Sequence, residues 1–436
     1  MNVVWVPHNP SAEKVENLVL ELGISRLLAK LLVNRGVDEP DEAMEFLEPD
    51  LSSLHDPHLM KGMDQVLARV TEAIGRREPI LVYGDYDVDG ITSTVVLRRA
   101  LEMLGGQVEY HIPMRLEDGY GMKKKVIRDA FDRGVKLVIS VDSGIRDFEV
   151  CEYAKTLGLD LIVTDHHLPA DELPDAYAIL NPKQPGCHYP EKDLAAVGVV
   201  LKLVQALFER EGRSEVIPHF LKVVAIGTVA DMVPLRGENR VIVKHGLEAL
   251  SDPKNLGLQT LLAGSGVGAE VTHVDIGFRI APRINAFTRM GGGGEVVDLF
   301  SSRDPAAAVE IVDEMNRSNR ARRQEEDRIL REVEEMVHQE PGILDRNFLL
   351  VTGEGWHRGV IGNVAARLVE KYYRPTLVIS LGKRRSQGSG RSIPGFHLLE
   401  ALDQVAGSFE KYGGHAQAVG CTLRAECQKP SDIREM

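Results

Sequence analysis

Three aspartates stand at alternate positions in Gly84-Asp85-Tyr86-Asp87-Val88-Asp89-Gly90, directly after the apolar run Ile80-Leu81-Val82-Tyr83. The run reads as a buried parallel strand, which places the acids just beyond its carboxyl end, where ligands of open α/β sheets bind. Three carboxylates held so close repel one another unless a cation lies among them, and a divalent metal ion is the simplest answer.

This stretch taken alone leaves rivals. Asp85-x-Asp87-x-Asp89-Gly90 matches the first half of a calcium EF-hand loop, but the twelfth position is Val96 and a strand precedes the loop, so that reading fails. Asp87-Val88-Asp89-Gly90-Ile91-Thr92 also resembles the nucleophile motif of haloacid-dehalogenase phosphatases, with Asp87 as nucleophile and Asp89 as acid. A solvated Asp- and Gly-rich turn is the third possibility. The helix that follows is expected to run to about Leu104, with Thr92 or Ser93 as its N-cap.

The surrounding elements favour the metal site. From 79 to about 235 the pattern alternates strand and helix, with strands expected at 79–84, 107–112, 136–141, 160–164 and 176–180. Such alternation implies an α/β fold with a doubly wound, mainly parallel sheet. Leu137–Val141 leads to Asp142-Ser143-Gly144, and residues 161–164 lead to Asp165-His166-His167. The apolar run 223–229, counted with these strands, leads to Asp231. Any one of these acids would pass for a turn or cap residue, but four segments delivering carboxylate or imidazole to one rim would not. Hard oxygen ligands with one or two imidazoles suit Mn²⁺ or Mg²⁺, and the lack of thiolates argues against structural zinc. An aspartate shared by two ions would give the paired-metal clamp of phosphoryl hydrolysis.

Composition sets outer bounds. The 436 residues are 43% hydrophobic, enough for at least two domains. No apolar run is long enough to span a bilayer, and residues 1–10 lack a signal-peptide pattern. Cys151, Cys187, Cys421 and Cys427 form no CxxC pair, which points to free thiols in a reducing cytoplasm. The net charge of −13 argues against a non-specific nucleic-acid coat while leaving room for a local basic groove.

Taken in order, Gly84-Asp85-Tyr86-Asp87-Val88-Asp89-Gly90, Val141-Asp142-Ser143-Gly144, Asp165-His166-His167 and Gly227-Thr228-Val229-Ala230-Asp231 resemble the four motifs of the DHH phosphoesterase family. The doubled first motif and the helical lead-in are similar to its RecJ group of single-stranded-DNA exonucleases. The resemblance implies that Asp87, Asp89, Asp142, His166 and Asp231 ligate two ions, Mn²⁺ or Mg²⁺, with Asp142 as the bridge. It implies a catalytic or supporting role for Asp85, and a contact between His167 and the scissile phosphate. Arg115, in Ile112-Pro113-Met114-Arg115, becomes a contact to the nucleic-acid backbone. So does Arg289, in a segment where a small Ala-Gly pair usually precedes the arginine and Phe287-Thr288 stands here. Gly291 to Gly294 follow it and read as a flexible hinge.

The remainder reads as a connecting helix over 301–340, charged nearly all round its middle as a solvated bridge would be, and a second, smaller α/β domain over 341–436. In that domain Ser386-Gln387-Gly388-Ser389-Gly390-Arg391-Ser392, and the run 413–420 with Gly413, Gly414 and His415, resemble the DHHA1 domain. There glycines would let backbone amides approach a phosphate gripped by Ser389 and Arg391. Residues 1–78 read as a helical region with no catalytic feature, and 79–300 as the metal-binding domain. Implied partners are single-stranded DNA, with a single-strand-binding protein and a helicase as candidates, acting on a monomer. The resemblance also carries the expectation of an OB-fold after the DHHA1 domain, which these 436 residues do not include. A DHH oligoribonuclease or cyclic-dinucleotide phosphodiesterase, or a non-catalytic DHH scaffold, are the alternative readings.

Overall fold

A computed structural model describes residues 6–114, 121–382 and 385–424. Five strands, β1 (Pro79–Tyr83), β2 (Gln107–His111), β3 (Leu137–Val141), β4 (Asp160–Thr164) and β5 (Ala178–Leu180), form a wholly parallel sheet in the order β2-β1-β3-β4-β5. The inner strands β1, β3 and β4 read as largely apolar runs because both of their faces are covered. Ile80, Val82, Leu137 and Ile139 enter the core on one face, and Leu81, Tyr83, Val138 and Val163 the core on the other. The chain leaves β1 for β2 on one side and resumes with β3 on the other. The topological switch therefore falls between β1 and β3, the two strands whose ends carry Asp85 and Asp142.

Two local expectations are corrected. The helix after β1 spans Val88–Met103, and its N-cap is Asp87, whose carboxylate accepts from the Asp89 and Gly90 amides at 2.9 and 3.1 Å. The Thr92 and Thr94 hydroxyls lie inside the helix and donate to the Val88 and Gly90 carbonyls, both at 2.8 Å. Asp87 precedes both hydroxyl residues and already satisfies two orphan amides, so the helix begins earlier than Thr92 and Ser93 suggest. The run 223–229 is not a strand but part of the helix Leu221–Ala230, buried along most of its length. A helix apolar on every side has no period to distinguish it from a buried strand.

The chain divides into two compact units, Met1–Asn316 and Arg317–Met436, and the division falls inside the helix Pro305–Gln339. Val312 and Met315 of this helix belong to the core of the first unit, and Ile329 and Val333 to a core of the second. Even in its charged middle Asn319 and Glu326 are buried, Glu326 pairing with Arg322 and Arg367. The helix is thus structural in both units, more than the solvated bridge its charge pattern suggested.

The second unit carries β6 (Leu349–Glu354), β7 (Thr376–Leu381), β8 (Gln387–Arg391), β9 (Phe409–Gly414) and β10 (Ala418–Leu423), in the order β6-β7-β8-β10-β9. Strands β6 and β7 are parallel, and the remaining pairs are antiparallel. Both glycine-rich stretches whose amides were expected to approach a phosphate are mostly strand.

Candidate active site

The first unit gathers all seven of the candidate acids and imidazoles that the motifs named. Ligand-capable atoms of Asp85, Asp87 and Asp142, of Asp142, His166 and His167, and of Asp89, His166 and Asp231 form three groups, each within 4.8 Å. Asp142 belongs to the first two groups and His166 to the last two, so the three are one continuous cluster. Asp142 sits at φ 61°, a left-handed conformation that Asp tolerates better than most residues, and its amide donates to the Thr164 carbonyl at 3.0 Å.

Asp89 is held differently. Its two carboxylate oxygens accept from the Ala196 and Val197 amides at 2.7 and 2.9 Å, at the start of the helix Ala196–Arg210. Helix amides and dipole favour a negative charge there. This approach needs a bare backbone at Gly227, where an added Cβ would overlap the Thr92 hydroxyl and lie 3.1 Å from Asp89 Oδ1. Gly90 is required in the same sense, since its Cβ would fall 2.7 Å from the Asp85 backbone.

Burial and crowding dominate the electrostatics. Burial pushes the Asp89 carboxyl up to about 7, reinforced by the charge of Asp231, and burial with Asp87 does the same to Asp231. Asp142 is raised well above the ordinary range by burial and by Asp87, Asp89 and Asp85. Burial lowers His166 and so favours the neutral, ligating imidazole. Asp142 Oδ1 and both ring nitrogens of His166 are buried without a hydrogen-bond partner among the described residues. Buried polar atoms are rarely left so, and here they line a set of hard oxygen donors. The residues fit one or more divalent cations.

Asp165 has a role that its motif spelling does not reveal. Its Oδ1 accepts from the His166 and His167 amides at 2.7 and 3.1 Å and from His167 Nδ1 at 2.8 Å, while Oδ2 accepts from the Ile145 amide at 3.0 Å. Burial would raise this carboxyl, but the hydrogen bonds and charge of His167 win and hold it below its usual range. An ionised Asp165 can only accept, so His167 Nδ1 carries a proton. Although burial opposes it, Asp165 lifts His167 to about 8. Asn181 completes the support by donating to the His167 carbonyl at 2.9 Å. Asp165 was visible in the motif without a role; Asn181 and the Ala196–Val197 amides left no local signal.

Of the nucleic-acid candidates, Arg115 lies outside the described residues. Arg289 is the C-cap of the helix Ala281–Thr288. In the second unit Ser389 and Arg391 lie two apart on β8, hence on one face, with Arg391 Nη1 donating to Ser389 Oγ at 3.3 Å. The register sets Ser389 beside Gly420 and Gly420 beside Gly413, making a strip poor in side chains across three strands. Gly362, in the first turn of the helix Ile361–Tyr372, brings that helix end close, since its Cβ would stand 3.1 Å from Ser389 Oγ. Gly414 closes β9 and His415 lies in the turn to β10, its amide donating to the Ala418 carbonyl at 2.9 Å.

Comparison with known proteins agrees with this geometry. The DHH family, N-terminal domain, matches residues 79–228, and the DHHA1 domain matches residues 345–435. The chain is 42% identical over 426 residues to the single-stranded-DNA-specific exonuclease RecJ of Bacillus subtilis (strain 168), covering 97% of this chain and 53% of that protein. It is 35% identical over 448 residues to the protein of that name from Dickeya dadantii (strain 3937), covering 97% and 76%. The crystal structure of RecJ in complex with Mn²⁺ from Thermus thermophilus superposes with a TM-score of 0.83 at 30% identity, over 98% of this chain and 60% of that one. The fold and site are those of a DHH protein with a DHHA1 domain. Within that class the chain belongs to the RecJ family of single-stranded-DNA-specific exonucleases. It spans about half the length of the Bacillus relative and three-quarters of the Dickeya one. Among the described residues no helix is long and apolar enough to cross a membrane.

Proposed function

We propose that this chain hydrolyses single-stranded DNA from its 5′ end with two divalent cations, Mn²⁺ or Mg²⁺, held by Asp87, Asp89, Asp142, His166 and Asp231, with Asp85 beside them. The observation that carries this reading is the placement of Asp142 at the switch point of the sheet, grouped on one side with Asp85 and Asp87 and on the other with His166, as a shared ligand requires. Cations bound there would supply a deprotonated water at neutral pH and neutralise charge on the scissile phosphate. The protein's own groups do the rest. Asp165 keeps the proton on His167 Nδ1 and turns the opposite ring edge outward, so a protonated His167 can hold a phosphate oxygen. The Ala196 and Val197 amides fix Asp89 in one orientation before any substrate arrives.

The activity named for these relatives supports single-stranded DNA as substrate. The domain division 1–78, 79–300, 301–340 and 341–436 belongs to the same reading. A monomer working in the cytoplasm, with a single-strand-binding protein and a helicase as partners, extends it on resemblance alone. The direct test is incubation with Mn²⁺ and end-labelled DNA and RNA oligomers. Mononucleotides released first from the 5′ end of DNA are expected; products starting at the 3′ end, or RNA cleaved in preference, would overturn the assignment.

Arg391 and Ser389 are proposed to take the terminal phosphate. A guanidinium on a terminal phosphate dianion makes charge-assisted hydrogen bonds that an internal monoanion matches poorly. Arg391→Ala should therefore cut the preference for 5′-phosphorylated over 5′-hydroxyl strands by about tenfold, in line with one lost charged hydrogen bond, with a smaller effect on maximal rate. Equal losses on both substrates would make Arg391 a general backbone contact instead.

A further inference from the structure

The four glycines at 291–294 read from sequence as a hinge, yet the structure packs them. Gly291 sits at φ 102° with the Met114 sulfur 3.5 Å from where its Cβ would be. A Cβ on Gly292 would overlap the ring of Phe287, and one on Gly293 would overlap Ile112. Gly293 already belongs to the helix Gly293–Leu299, whose far side is tied to β2: the Tyr110 hydroxyl donates to Asp298 Oδ1 at 2.8 Å, and Arg98 reaches the same oxygen at 3.2 Å. Toward the helix Ala281–Thr288, the Phe287 carbonyl accepts from the Met290 and Gly292 amides at 3.0 and 3.2 Å. Phe287 and Thr288 are buried, at 7% and 1% exposure, whereas Met290 between them and the glycines is 63% exposed. The turn that carries Arg289 is therefore closed on one side by an aromatic ring and on the other by a helix latched to the sheet.

We propose that Phe287 and Gly292 are a matched pair, ring against bare backbone, that braces the turn and fixes the direction in which Arg289 meets a nucleic-acid phosphate. Phe287 is then a positioning residue: it touches no substrate and acts through Arg289. This accounts for the bulky Phe287. The ring occupies the volume that a side chain at 292 would otherwise take, so a large residue at 287 and glycine at 292 require each other. The inference rests on the reading of Arg289 as a phosphate contact.

The experiment is steady-state hydrolysis of a single-stranded oligomer by Gly292→Ala, Phe287→Ala, Phe287→Leu, the Phe287→Ala/Gly292→Ala double variant and Arg289→Ala, with thermal melting to check folding. Residue 292 has φ −78°, which alanine adopts freely, so Gly292→Ala tests crowding and not backbone strain. Gly292→Ala is expected to raise KM about tenfold, the scale of overpacking a buried site, with kcat held within about twofold. In the double variant the new methyl fills the space the ring vacated, and KM should fall back below that of Gly292→Ala. Phe287→Leu, which keeps the bulk, should stay nearer the parent KM than Phe287→Ala does. Multiplicative losses in the double variant would overturn the pairing while leaving the reading of Arg289 intact, provided Arg289→Ala raises KM. An unchanged KM in Arg289→Ala would sink the reading of Arg289, and the brace with it. If Gly292→Ala does not fold, the comparison of Phe287→Leu with Phe287→Ala decides.

Discussion

Asp142→Asn is expected to abolish hydrolysis and, at the same time, to make the metal-free protein more stable. Asp142 is the carboxylate common to two of the three ligand groups, so its loss removes a donor from both halves of the cluster. Losing a group that merely supports a ligand costs about 10–100-fold, and losing a shared ligand should exceed that, at about 10³-fold or more. The stability gain has a separate cause. In the metal-free fold Asp142 is buried among Asp87, Asp89 and Asp85, which raises its carboxyl well above the ordinary 3.8. Between that value and its raised folded one, the unfolded chain gives up a proton that the folded chain must keep, so the wild type loses stability as pH rises. A neutral amide escapes this. The gain in Tm of Asp142→Asn over wild type, measured in chelator, should therefore be larger at pH 8 than at pH 4. Asparagine also tolerates the φ of 61°, whereas alanine there adds about 1–2 kcal/mol of left-handed strain. Asp142→Ala should thus be equally inactive but less stabilised. Near-normal turnover in either folded variant would end the two-metal reading.

His167→Ala should separate binding from chemistry. His167 is tied through Nδ1 to Asp165, and its side chain is partly exposed, as expected of a group facing substrate rather than sealing the ligand set. Removing it should leave Mn²⁺ binding within about threefold, since the buried Asp142 and His166 and the half-buried Asp231 remain, and lower kcat by about 10²–10³-fold, the scale for one preorganised donor. Asp165→Asn tests the same link from behind. It keeps the shape but removes the charge that holds the proton on Nδ1, and should cost about 10–100-fold in kcat. Because Asp165 lifts His167 to about 8, the loss in Asp165→Asn should be greatest where the wild-type ring is still protonated, at pH 7, and shrink above pH 8. Calorimetric loss of Mn²⁺ binding in His167→Ala would show that His167 is a ligand and that the roles of the two histidines are reversed.

Much of this was legible along the chain because the chemistry is written in short contiguous words. A parallel strand buried on both faces must be an apolar run, and the residues after it must stand at the ligand-binding edge of the sheet. That rule alone located Asp85, Asp87, Asp89, Asp142, His166 and His167. Position 231 was found by motif, but its support was misread, because the helix Leu221–Ala230 is buried on every side and leaves no period. Glycines misled at 291–294, since sequence shows only that a side chain is missing. Whether that grants freedom or admits a neighbour depends on what lies within a few ångströms.

Neighbours along the chain were enough to name the candidate ligands, to attach all but Asp231 to strand ends and to point to the family to which the chain belongs. Folding in three dimensions is what places Asp142 in two groups, brings amides 107 and 108 residues away onto Asp89, sets Asp165 on the ring of His167 and closes Phe287 on Gly292. These are contacts of a few ångströms between groups whose approach is fixed by how helices pack across a sheet, and no local pattern of residue types encodes that distance.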